Sequence, residues 1–203
     1  MCPTKHLNVM QKIPCREIWT TGSLECKLSW DGNNGSEWAS GATYAGSSWI
    51  NFWYIEYYKG ISRASTFIMN VDRCLEASAA QRKQWKAQAR ALRAFYYFMI
   101  FRSYGPFVIL GEEPIPLDIS TSELLKERNS VDECVDFMVK EFDDAANDLP
   151  DRYDGSNLGR IDRAACKALS KMLLYAASPL FNCNTDYAGI VNPESGNSVF
   201  PRR

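Results

Sequence analysis

The sequence predicts an all-α chain of antiparallel helix pairs joined by long irregular loops. Three observations carry this reading. Apolar residues recur at three- and four-residue steps through most of the stretch from Ser48 to Ser178, the period of an amphipathic helix. Ser130 and Asp162 stand as N-caps ahead of two of the periodic segments. Gly105, Pro106, Pro150 and Pro179 stand just beyond segment ends, where they stop a helix.

Residues 1–43 show little periodicity. The stretch from Trp30 to Trp49 is rich in Gly, Ser and Asn, with Trp and Tyr spaced through it, and reads as a surface loop. A helix is predicted from about Ser48 to Leu75, with Phe52, Ile55, Phe67, Ile68, Val71 and Leu75 in its apolar pattern, and Gly60 marks an expected weak point or bend. The next helix is the clearest. Trp85, Ala89, Leu92, Tyr96 and Met99 form its stripe, and Phe95, Phe98 and Phe101 widen it, so its second half must be buried on more than one side. Tyr104 to Asn129 is a long connection with Pro106, Pro114 and Pro116, a length often associated with function or a lid. Ser130 and Glu133 stand in capping-box register before the stripe Val131, Val135, Met138, Phe142, Ala145 and Leu149. Glu141, Asp143 and Asp144 on this helix read as a solvated acidic face. A last helix runs from about Asp162 to Ser178 along Ala165, Leu169, Met172, Leu173 and Ala176. The tail from Asn182 to Arg203 is polar and presents no convincing element. Three segments follow: residues 1–48, irregular; 49–182, helical; and 183–203, an irregular tail.

Composition narrows the function. The chain has 203 residues, 46% of them hydrophobic, enough for one sizeable core. A net charge of −1 provides no field for nucleic acid, and no nucleic-acid partner is expected. The 7 Cys include no C-x-x-C pair, and His6 is the one histidine, so no zinc site and no other metal or cofactor is implied. Cys134 and Cys166 lie in helical patterns and read as small buried hydrophobes. No apolar run reaches the roughly 18 residues of a membrane-spanning helix. The opening MCPTKHLNVM has no apolar core of a signal peptide. No nucleophile elbow, phosphate loop or H-E-x-x-H pattern occurs, so no catalytic residue is named and the chain is not expected to be an enzyme.

Longer runs carry a resemblance. W-K-A-Q-A-R-A-L-R-A-F-Y-Y-F-M-I-F-R-S-Y-G-P-F (Trp85 to Phe107) resembles a hallmark of SusD/RagB proteins. W-Y-I-E-Y-Y-K-G-I-S-R-A-S (Trp53 to Ser65), Arg128 to Pro150 and Gly159 to Asn182 resemble further segments of that family in the same order. The resemblance implies tetratricopeptide-like helical arms, although no strict repeat is present. It also implies a Bacteroidetes-type lipoprotein on the outer face of the outer membrane that hands glycans or other nutrients to a SusC-like TonB-dependent transporter. Membrane attachment would then rest on a lipid anchor; Cys2, directly after Met1 with no apolar run, is not expected to carry it. Family members are longer, so the chain is expected to be an N-terminal piece.

The candidate ligand residues are Trp30, Asp31, Asn33, Asn34, Trp38 and Tyr44. A sugar ring offers an apolar C–H face and a polar edge, and its binding calls for flat aromatic platforms with amide or carboxylate partners. The competing reading places Trp30 and Trp38 in the helical core. Arg90 and Arg93 read as bridges between helical arms rather than as ligand contacts. Two other functions stay open: a helical-repeat scaffold that binds a protein partner, and an α-helical glycosidase acting through two carboxylates, which no spacing supports.

Overall fold

In a computed structural model, which describes residues 34–113, 115, 118–153, 160–182 and 184–200, the long periodic stretches of the sequence are helical. Among the described residues the one strand-like pairing is an antiparallel bridge between Val191 and Ser198. The chain divides into two compact units, Met1–Tyr54 and Ile55–Arg203.

The first unit departs from the expected loop. Helix α1 spans Asn34–Ala39. It stops in a Schellman motif: Ala42 N–H donates to the Glu37 carbonyl (3.0 Å) and Gly41 N–H to the Trp38 carbonyl (3.1 Å). Gly41 takes φ +71°, a conformation that costs glycine little. The short polar run thus carries one helical turn and a half with its own stop signal, which a reading by composition alone passes over. Helix α2 (Ser48–Asn70) begins in this unit, and the Ser47 carbonyl accepts from Ile50 N–H at 3.0 Å.

In the second unit α2 runs unbroken through Gly60 and passes into a 3-10 turn, Val71–Arg73. The expected bend is absent for a packing reason. A Cβ on Gly60 would lie 2.8 Å from the Tyr96 ring, so this glycine allows a close approach to the next helix. Helix α3 (Ala79–Tyr104) opens on a capping box of Ser78 and Gln81 and stops at Gly105, φ +75°. Its buried arc includes Ala87, Ala91, Ala94, Tyr96, Tyr97, Ile100 and Phe101, while Trp85, Leu92, Phe95 and Met99 are only half-buried. The arc is rotated from the predicted stripe because α3 packs on two sides. Tyr96 meets Tyr57 of α2, while Arg93 meets Glu141 and Tyr97 meets Phe137 on the other side.

The connection after α3 is tied down at its start. Val108 N–H donates to the Tyr58 hydroxyl, Ile109 N–H to Asn129 Oδ1 and Leu110 N–H to the Tyr97 hydroxyl, at 2.9–3.1 Å. These bonds give the extended backbone the partners a helix would have provided, and they oppose a lid-like role for residues 108–110. A short helix α4 (Thr121–Leu124) follows, capped by Ser120 and Glu123. Pro114 and Pro116 lie outside the described residues.

Helix α5 (Val131–Asp148) starts at the predicted Ser130–Glu133 capping box. It lies antiparallel to α3: Lys83 pairs with Asp148, Arg90 with Asp144 and Arg93 with Glu141. The solvated acidic face is corrected here. Glu141 is buried, accepting from Arg93 Nη2 (2.6 Å) and Nε (2.9 Å), while Arg93 Nη1 donates to Ser65 of α2 (3.2 Å). A charge leaves water only when its partner leaves with it, and the cation that draws Glu141 inward stands 48 residues earlier. Arg90 and Arg93 do bridge two arms, as expected.

Asp162 caps helix α6 (Arg163–Ala168), accepting from Ala165 N–H at 2.7 Å. The predicted single helix is broken by a 3-10 turn, Leu169–Lys171, before α7 (Met172–Ala176). Arg163 also closes the end of α5, donating to the carbonyls of Ala146 (2.8 Å) and Leu149 (3.0 Å), which have no intrahelical partner there. Cys134 and Cys166 are buried, as expected.

The core is aromatic. Tyr97 stacks on Phe107 (4.8 Å), Phe101 on Phe181 (4.2 Å) and Phe181 on Phe200 (6.3 Å). Burying Phe101 and Phe107 contributes about 1.5–3 kcal/mol each. The tail therefore does more than its polarity suggests. Val199 and Phe200 are buried, and the Val199 carbonyl accepts from Val131 N–H at 2.9 Å, tying the tail to the start of α5.

Candidate functional site

The residues singled out in the sequence fall in the first unit. Trp30, Asp31 and Asn33 lie outside the described residues, and Asn34 opens α1. Trp38 is 48% exposed and Tyr44 69% exposed. Trp38 therefore does not plug a core. Its ring meets Trp49, the second residue of α2, edge to face at 6.2 Å, which fixes one side of the indole and leaves surface on the other.

Tyr44 is held as firmly, by different means. Its N–H donates to the Ser47 hydroxyl (3.1 Å), and its carbonyl accepts from Ser47 N–H (2.9 Å). The ring lies against the Gly46 backbone, where a Cβ would come within 2.6 Å of it. Ser47 is buried, so the hydrogen bonds that fix Tyr44 are partly shielded from water. The backbone is thus constrained on both sides of the turn: Gly41 ends α1, and Ser47 leads into α2.

Two neutral polar groups nearby are buried without a hydrogen-bond partner, Trp49 Nε1 and Thr43 Oγ1. Each costs about 1–3 kcal/mol unless satisfied by solvent. Sequence reasoning passed over both; Trp49 was visible as one more aromatic in the loop, whereas nothing marked Thr43. The Glu37 side chain is half-buried, one residue before Trp38. Chemically this surface offers aromatic faces, hydroxyls, amides and a carboxylate. Among the described residues no three His, Cys, Asp or Glu side chains gather to hold a metal ion.

A second concavity, of about 770 Å³, opens in the other unit. Its apolar side includes Leu180, Tyr187, Ile190 and Val191, and Lys126 and Arg128 stand among its polar residues. The tail forms much of it, so a reading of the tail as featureless could not find it; the run of Tyr187, Ile190 and Val191 within polar residues was the available signal.

Comparison with known proteins gives these arrangements a family. A SusD-like family described as "Starch-binding associating with outer membrane" matches residues 6–174. No curated protein matches. Among solved structures, one titled BT4246 is 33% identical with a TM-score of 0.66, over 73% of this chain and 26% of that one. A SusD-like carbohydrate binding protein (BF0978) from Bacteroides fragilis is 26% identical with a TM-score of 0.53, over 64% of this chain and 25% of that one. A SusD-like protein (BF3747) from the same species, at 21% identity and a TM-score of 0.60 over 68% of this chain and 26% of that one, is alike in fold. The match thus spans about a quarter of the length of these relatives. With the helical architecture and most of the chain matched, this protein belongs to the SusD-like family.

Proposed function

We propose that this chain is a glycan-binding, non-catalytic component of cell-surface nutrient uptake. The observation that carries the reading is the pair of exposed, backbone-braced aromatic rings, Trp38 and Tyr44, in a chain of a family described as starch-binding. Each ring offers a flat apolar face to the C–H side of a pyranose. Asp31, Asn33 and Asn34 supply carboxylate and amide partners for sugar hydroxyls, and Trp30 a further platform. The similarity to a carbohydrate binding protein of the same family supports the ligand class. A location at the outer membrane accords with the family description, and delivery to a SusC-like TonB-dependent transporter is part of the same proposal.

The test is affinity electrophoresis of the purified chain through gels containing neutral plant, host and microbial polysaccharides, beside Trp30→Ala, Trp38→Ala and Tyr44→Ala. Circular dichroism checks that each variant is helical. Selective retardation that weakens in the variants is the expected result. A folded chain that no polysaccharide retards, or whose retardation ignores all three substitutions, would favour the protein-binding scaffold instead.

A further inference from the structure

The concavity of the second unit takes no part in the glycan reading. One side of it is the stretch from Ile190 to Val199, closed as a hairpin by the Val191–Ser198 bridge and by Asn192 N–H donating to the Asn197 carbonyl (2.9 Å). Polar bonds fasten this hairpin from outside. Glu127 Oε1 accepts from Glu194 N–H (2.7 Å) and Ser195 N–H (3.0 Å), and Asn192 Nδ2 donates to the Arg128 carbonyl (2.8 Å). These bonds fix the backbone, while Leu180, Tyr187, Ile190 and Val191 of the lining remain 39–48% exposed. The Tyr187 ring is seated 5.3 Å from Phe200, which in turn stacks on Phe181. Lys126 and Arg128, both exposed, also line the concavity, as do Glu127 and Glu194. The Glu127 carboxylate already holds the hairpin amides, which leaves Glu194 to oppose the two cations.

We propose that this concavity binds a small aromatic carboxylate, its ring against Tyr187 and its charge toward Arg128 and Lys126. The site is independent of the glycan surface and stands or falls without it. Three features select this ligand. The volume of about 770 Å³ falls within the roughly 300–1,000 Å³ of small-molecule sites, whereas a protein partner calls for a broad patch of about 800 Å² per side. Apolar side chains kept open around a hollow whose backbone is already fastened give a preformed apolar surface, which an apolar ligand covers at little ordering cost. The Tyr187 ring, braced by Phe200 and still 39% exposed, is a platform for a second flat ring. A guanidinium and an ammonium beside that platform suit a carboxylate, and the Arg128 fork can take both of its oxygens.

The experiment is calorimetric titration of the intact chain with naphthoate, naphthamide and octanoate, beside Tyr187→Ala and Arg128→Glu, with circular dichroism to check that each variant is helical. We expect saturable naphthoate binding that is lost in Tyr187→Ala and weakens as salt is raised. At about 5 Å in a water-like dielectric one charge pair changes affinity about fourfold, so Arg128→Glu, which turns an attraction into a repulsion, should weaken naphthoate about tenfold or more. Arg128 is exposed, so this variant is expected to fold even if Tyr187→Ala does not. Naphthamide bound as tightly as naphthoate, or naphthoate indifferent to Arg128→Glu, overturns the assignment of an anion. Octanoate bound more tightly than naphthoate overturns the aromatic ligand. Binding retained by a folded Tyr187→Ala, or no binding by the intact folded chain, overturns the site itself. A chain that sediments as a dimer, becomes monomeric in Tyr187→Ala and binds no naphthoate assigns the concavity to a second copy and overturns the proposal.

Discussion

Removing the Glu141 carboxylate is the sharpest perturbation of the scaffold. In Glu141→Ala the Arg93 guanidinium keeps Ser65 Oγ at 3.2 Å but loses contacts of 2.6 and 2.9 Å, and Arg90 loses a carboxylate at 3.8 Å. Arg93 is fully buried and Glu141 is 3% exposed, so the orphaned cation has no ready access to water. A buried pair broken on one side costs about 3–5 kcal/mol, a large part of a typical domain's total of about 5–15 kcal/mol. The double change Arg93→Met with Glu141→Leu removes both charges and fills the space with apolar atoms. It should recover most of the loss, because the desolvation of both ions disappears with them. Urea titration followed by helical ellipticity measures each midpoint, with the slope expected to stay constant. A single variant costing less than about 1 kcal/mol would refute the reasoning, and so would a double variant no more stable than the single one.

Other consequences are equally open to measurement. Gly60→Ala gains about 1 kcal/mol of helix propensity but forces its new methyl against the buried Tyr96 ring at 2.8 Å, an overpacking worth about 1–3 kcal/mol; a net loss of stability by urea titration is expected, and a gain near 1 kcal/mol would contradict the close approach. Gly46→Ala must push the Tyr44 ring aside, yet that ring is exposed and can move, so stability should change by no more than about 0.5 kcal/mol while glycan retardation falls. Burial pushes the Tyr97 phenol up to about 12, against the partial relief of the Leu110 N–H bond. Because the folded value is raised, its contribution is fully present below pH 10 and is lost as pH climbs toward 12, about 3 kcal/mol in all; Tyr97→Phe should flatten stability-against-pH curves in that window. Burial likewise pushes the Cys134 thiol to about 12 and the Cys166 thiol to about 11. Neither should react with iodoacetamide at pH 8 until the chain unfolds, which peptide mass mapping can follow.

Local signals were the legible ones. The capping box at Ser130 and the stop at Gly105 need only a few neighbouring residues to specify them, and both appear where the sequence puts them. What the sequence hid depends on distant partners. Nothing around Glu141 reveals that Arg93 lies across from it. Gly60 reads as a weak point until Tyr96 is seen to occupy the space it leaves. The stripe on α3 was displaced because periodicity assumes one buried face, whereas α3 packs against two neighbours. The 3-10 turn at Leu169–Lys171 interrupts a pattern that stays periodic across it. For the candidate site, the type of surface was legible from aromatics set among Gly, Ser and Asn. The turn that fixes Tyr44 was not, because it depends on the orientation of the Ser47 hydroxyl and on the bare backbone of Gly46.

Calorimetric titration of the folded chain with the neutral oligosaccharide whose polymer retards it most, beside Trp38→Ala and Tyr44→Ala, tests the central claim most directly. The account predicts saturable binding that weakens at least tenfold, about 1.4 kcal/mol, in each variant, with thermal stability nearly unchanged. Binding that both variants retain in full, or a loss of binding matched by a loss of folding, would contradict it.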